Sequence, residues 1–138
     1  MSAVRVFSAI SFYKIKNMTK IMIVDDDSMI SDIYQKKFSD QGFDVLVATS
    51  GEQALEMAKK EKIDLVVLDL LIPRLDGFEV IKQLRGGNYA KDMKIIVSSN
   101  LSEKSNRDRA FELGADDFII KAQFTPSQLV EKIKKIIS

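Results

Sequence analysis

Five short apolar runs punctuate the chain, and between them apolar residues recur at helical spacing. The first run, Ile21-Met22-Ile23-Val24, passes straight into Asp25-Asp26-Asp27. Ser28 to about Asp40 places Ile30, Ile33, Tyr34 and Phe38 on one helical face, with Gly42 where such a helix stops. Phe43 to Val47 alternates more than the first run, as a strand at a sheet edge should. Ser50-Gly51-Glu52-Gln53 predicts a capping box that opens a helix with Leu55 and Ala58 on its buried face. The run Leu65 to Leu68, rich in Val and Leu and too short for an ordinary helix, reads as a strand buried on both faces. It ends in a carboxylate, Asp69.

After Asp69 the pattern breaks at Pro73 and reopens at Asp76-Gly77, where a helix carrying Phe78, Ile81 and Leu84 begins. Gly86-Gly87-Asn88 interrupts the chain again. Met93 to Ser99 is the fourth strand and ends in hydroxyls. A more polar helix runs from about Ser102 to Leu113 and is closed by Gly114. Phe118 to Lys121 is the fifth strand. Thr125-Pro126-Ser127-Gln128 supplies a cap, a proline at the first helical position and a glutamine that reaches back. The last helix then shows a stripe of Leu129, Val130, Ile133, Ile136 and Ile137.

Strands and helices alternating in this way predict an α/β fold, a doubly wound parallel sheet with helices on both faces. Periodicity does not order the strands. Either common doubly wound order puts ligands at the carboxyl ends of the strands, near the point where the winding reverses. Residues 1–18 fit this pattern poorly. They are too polar and too short for a membrane span and lack a convincing signal-peptide cleavage site. A poorly ordered tail, or an upstream start with Met18 as the functional first residue, is expected there. An extra strand from Val4 to Phe12, or packing of that stretch against a helix, is the weaker reading. The folded domain is expected over residues 19–138.

Composition narrows the chemistry. With 46% hydrophobic and 30% charged residues over 138 positions, the chain is an ordinary globular domain with room for a core. A net charge of +1 advertises neither nucleic acid nor an anionic surface, and neither direct nucleic-acid binding nor membrane insertion is expected. Cysteine and histidine are both absent. That excludes disulfides, thiolate and imidazole metal ligands, and nucleophile–histidine pairs. Carboxylates, hydroxyls, lysines and a hard metal remain.

These groups collect at the strand ends. The first strand ends in Asp25, Asp26 and Asp27, the third in Asp69, the fourth in Ser99 and Asn100, and the fifth in Lys121. Acids brought together from two strands repel one another unless a cation is present. With only oxygen donors, Mg²⁺ is the natural occupant. A hydroxyl and an ammonium then remain to hold phosphoryl oxygens. The set describes phosphoryl transfer in which a carboxylate can itself be the nucleophile.

The stretches Ile23 to Asp27, Leu68 to Gly77, the Ser99 strand end and Gly114 to Lys121 together resemble the receiver domain of two-component response regulators. The resemblance covers about Lys20 to Ile137. It implies a flavodoxin-like fold with strand order 2-1-3-4-5 and a cytoplasmic, stand-alone response regulator. Carried over by position, Asp69 accepts a phosphoryl group from the phosphohistidine of a sensor histidine kinase or a histidine phosphotransfer protein. Asp26 and Asp69 ligate Mg²⁺ directly, Asp25 acts largely through water, and the Leu71 backbone carbonyl completes the protein ligands. Ser99 bonds a phosphoryl oxygen, Lys121 pairs with its charge, and Phe118 is the switch aromatic that follows the hydroxyl inward. Output passes to an unidentified protein target or a second histidine, and transfer is self-catalysed rather than enzymatic turnover.

Two positions depart from the family pattern. Ala122 stands where proline usually follows the lysine, so either a trans bond with a reshaped loop or a strained cis bond is expected. The cis form of a non-proline bond costs about 3 kcal/mol. Asn100 replaces the usual small residue, and its bulk is expected to shield Asp69 from water and slow phosphate loss. Local readings are favoured at Asp27 and Asp76, as helix caps. Two other functions compete: a haloacid-dehalogenase-type phosphohydrolase using Asp25 with Asp27, and a degenerate receiver that only docks.

Overall fold

The computed structural model describes residues 19–88 and 91–138. The expectations for residues 1–18 lie outside that range. Five strands, β1 (Lys20–Val24), β2 (Asp44–Ala48), β3 (Leu65–Leu68), β4 (Lys94–Ser99) and β5 (Asp117–Ile120), form one sheet. Five helices separate and follow them: α1 (Ser28–Asp40), α2 (Gly51–Lys60), α3 (Gly77–Gly86), α4 (Lys104–Leu113) and α5 (Pro126–Ile137). The strand order is β2-β1-β3-β4-β5, and every pairing is parallel. Among the described residues no helix is long and apolar enough to cross a membrane.

Side chains alternate across a strand, so each buried strand feeds two cores. Ile21, Ile23, Leu65, Val67 and Ile96 face Tyr34 and Phe38 of α1 and Leu129, Val130 and Ile133 of α5. Met22, Val24, Val66, Leu68, Ile95 and Val97 face the opposite layer, built from α2, α3 and α4. β2 is the edge strand expected from its pattern, and Asp44 to Val47 are only half-buried. The winding reverses between β1 and β3, which lie side by side, and this sets where the strand-end acids meet.

Most helix ends form as their sequences predict. Asp27 caps α1 through the Met29 and Ile30 N–H groups, and Asp76 caps α3 through that of Glu79. Thr125 and Gln128 complete a reciprocal capping box on α5. At α2 the box is only half made. Ser50 accepts from the Gln53 N–H, but the Gln53 side chain takes the Thr49 N–H at 2.7 Å, one residue earlier than a box requires. α4 starts at Lys104 rather than Ser102, and Glu103 at its cap makes no side-chain capping bond.

The fifth strand stops at Ile120, and Lys121 opens a single 3₁₀ turn over Lys121–Gln123. Every peptide bond in the described residues is trans, so Ala122 follows Lys121 through a trans bond, within the turn. Proline disfavours helical backbone in the residue before it. With alanine at 122 that restriction is absent, and the turn can begin on the lysine itself.

Candidate functional site

The carboxyl edge of the sheet is extended one residue past the strands by backbone hydrogen bonds. The Asp25 N–H donates to the Ala48 carbonyl at 3.1 Å, and the Asp69 N–H to the Val24 carbonyl at 3.0 Å. Both acids are therefore held by the ladder itself, on neighbouring strands. Their exposures are 3% and 8%, low for ionisable groups, which are almost never buried without a partner.

Lys121 is that partner. Its Nζ lies 2.6 Å from Asp25 Oδ2 and 2.8 Å from Asp69 Oδ2. The remaining oxygens are held by the backbone: Asp25 Oδ1 accepts from the Asp27 N–H at 2.9 Å, and Asp69 Oδ1 from the Leu71 N–H at 3.1 Å. Burial alone would lower the Lys121 pKa. The hydrogen bonds and charges of Asp25 and Asp69 outweigh it, and the pKa is raised above the ordinary 10.5. The ammonium stays charged throughout the neutral range.

Asp26 completes the cluster from the solvent side. It is exposed, and one oxygen from each of Asp25, Asp26 and Asp69 lies within 4.8 Å of the others. Three carboxylates against one ammonium leave an excess of negative charge at the mouth. Hard oxygen donors with an open side fit Mg²⁺, which binds through one or two carboxylates and keeps several waters. Lys121 already bridges two of the acids, so a cation fits on the Asp26 side of the cluster.

The side chains of the other predicted residues make no hydrogen bond to this group. Ser99 closes β4, fully buried, with its Oγ accepting from the Leu101 N–H at 3.3 Å. Phe118 is 6% exposed and packs in the core beneath α2, α3 and α4. Leu71 turns its side chain outward, 60% exposed, while its N–H holds Asp69. Asp27 spends its Oδ1 on capping α1.

Two contacts at the site were not anticipated. A Cβ at Gly77 would fall 2.6 Å from the Leu70 Cα and 2.8 Å from the Asp69 carbonyl, so only glycine lets α3 start against the Asp69 loop. The same loop holds Arg74 at φ 67°, a left-handed conformation uncommon outside glycine. The second contact is that of Asn100, whose Oδ1 accepts from the Ala122 N–H at 2.9 Å and ties two loops at the rim.

A family model described as the response regulator receiver domain matches residues 21–134. The chain belongs to this family. Receiver domains are signalling domains of two-component response regulators. One relative, the probable transcriptional regulator ycf27 of Porphyridium aerugineum, is 42% identical over 118 residues, covering 86% of this chain and 48% of that protein. The alkaline phosphatase synthesis transcriptional regulatory protein PhoP of Bacillus subtilis is 39% identical, with the same coverage. The chain thus spans about half the length of the curated relatives it matches. A solved putative response regulator from Chloroflexus aurantiacus superposes with a TM-score of 0.80 at 31% identity, covering 87% of this chain and 98% of that one. Receiver membership lends no support to the phosphohydrolase alternative, and Asp27, which that reading pairs with Asp25, caps α1.

Proposed function

We propose that this receiver domain accepts a phosphoryl group on Asp69 from a phosphohistidine, carried by a sensor histidine kinase or a histidine phosphotransfer protein. The observation that carries the proposal is the Lys121 bridge, which holds a buried Asp69 carboxylate beside an acidic, metal-fitting mouth. In the transfer, an Asp69 oxygen forms a bond to phosphorus as the phosphorus–nitrogen bond breaks, and the departing imidazole takes up a proton. The carboxylate becomes a mixed anhydride.

An ammonium has three N–H donors, and Asp25 and Asp69 engage two of them. Lys121 can therefore follow the oxygens that arrive on Asp69 without leaving Asp25. Ser99 offers a hydroxyl from the next strand, and its movement toward the phosphoryl group would leave space for Phe118. Asp26 and Asp69 would hold Mg²⁺ directly, with Asp25 through water and the Leu71 carbonyl as the backbone ligand. When bound, the ion offsets charge on the acids and the phosphoryl oxygens. Hydrolysis of the anhydride returns Asp69 and ends the signal.

The surface beside the pocket suits a helical donor. Met29 and Ile33 of α1 are 72% and 50% exposed, and a groove of about 250 Å³ runs between α1 and the Lys121 loop, lined by Ile30, Ile33, Phe124 and Pro126 among others. Apolar anchors at helical spacing fit a partner helix laid alongside.

Incubation with acetyl phosphate tests the proposal. Intact mass should show one phosphoryl group added with Mg²⁺ present, and none with a chelator or in Asp69→Asn. Failure to label with Mg²⁺ would favour a docking-only receiver, and turnover of unrelated phosphate esters would favour a hydrolase.

A further inference from the structure

The two departures from the receiver pattern, Asn100 and Ala122, are acceptor and donor of one hydrogen bond. The β4–β5 ladder ends with Ser99 opposite Ile120. One residue further on, the Asn100 side chain reaches the Ala122 N–H at 2.9 Å and adds a rung across the two loops. The loops it joins carry Ser99 and Lys121, the two groups assigned to phosphoryl oxygens.

The local backbone explains how the rung can form. The first N–H groups of any helical turn have no partner within it. After the 3₁₀ turn the Phe124 N–H donates to the Lys121 carbonyl at 3.4 Å, a long bond. A proline at 122 would have no N–H to satisfy and would fix its own φ. Alanine does neither, and Asn100 supplies the acceptor from the neighbouring strand.

We propose that Asn100 is a positioning residue for Lys121, tying the lysine turn to the Ser99 strand end so that both move as one when Asp69 is phosphorylated. The proposal rests on the phosphoacceptor reading. Asn100 and Ala122 are both exposed, so water competes for the bond and its loss costs the fold little. The effect belongs in rate.

Asn100→Ala removes both bulk and acceptor, whereas Asn100→Leu keeps the bulk and removes only the acceptor. Both variants should lose the protection of the Ala122 amide against hydrogen exchange. Both should be phosphorylated by acetyl phosphate roughly two- to tenfold more slowly, the range of one hydrogen bond. Mg²⁺ affinity should not change, because Asp25, Asp26 and Asp69 are untouched; a general loosening of the site would weaken it.

Asn100→Leu labelled at the wild-type rate, with only Asn100→Ala altered, overturns the assignment in favour of a steric shield over Asp69. An Ala122 amide that exchanges equally fast in all three proteins also overturns it. Wild-type protein that takes no phosphoryl group overturns the phosphoacceptor reading and the assignment together.

Discussion

Lys121 shares its ammonium between two buried carboxylates, and this sharing governs how the site responds to substitution. Removing one partner from a buried ion pair leaves charge uncompensated, at a cost of about 3–5 kcal/mol in full burial. Here the cluster opens to solvent at Asp26, so Lys121→Met should cost about 2 kcal/mol by urea denaturation in the absence of Mg²⁺. Because the folded pKa of Lys121 lies above the unfolded 10.5, its contribution is complete below pH 10.5 and is lost as pH rises through the folded value. The stability gap between wild type and Lys121→Met should therefore be constant from neutral pH to about pH 9 and close at higher pH. A gap that closed below pH 8 would contradict the bridge. The same variant removes a competing cation, and Mg²⁺ should bind roughly fivefold more tightly by calorimetric titration.

Asp26 gives the complementary result. Its carboxylate is exposed, caps nothing and adds to the repulsion among the acids, so without Mg²⁺ Asp26→Ala should be at least as stable as wild type, and it should lose Mg²⁺ binding. Unchanged binding would remove Asp26 from the metal site.

At the scale of elements, the site depends on how closely α3 approaches the end of β3. Gly77→Ala would press a methyl group on backbone rather than on a movable side chain, and overpacking of that kind costs about 1–3 kcal/mol. The melting temperature should fall, and labelling of Asp69 should slow because the displaced loop carries its Leu71 N–H contact. A variant with wild-type stability and rate would show that the loop absorbs the methyl group freely.

Elements also show where the sequence was readable. Asp25, Asp69 and Lys121 were legible because continuous apolar runs mark β1, β3 and β5, and the acids and the lysine stand where those runs stop. The trans bond after Lys121 was one of two forms open at Ala122. The Gln53 side chain, the late start of α4 and the Gly77 approach were not legible. Each depends on a local competition or a distance that periodicity does not encode. The Asn100–Ala122 bond is the clearest case: both residues stood out in sequence, but they lie 22 positions apart and only the strand order brings them together.

For the whole molecule, the strand order decides function. Placing β1 beside β3 puts Asp25 next to Asp69, and placing β5 beyond β4 lets Lys121 reach across to both. A different order with the same elements would scatter the same residues. The central claim is that this convergence makes Asp69 the phosphoryl acceptor, and mapping the modified residue tests it most directly. Protein labelled with acetyl phosphate and Mg²⁺ is reduced with borohydride, which converts an aspartyl phosphate to homoserine, and then digested for mass spectrometry. Homoserine at position 69 alone is the predicted result. Reduction at Asp25 or Asp26, or none anywhere in labelled protein, would contradict it.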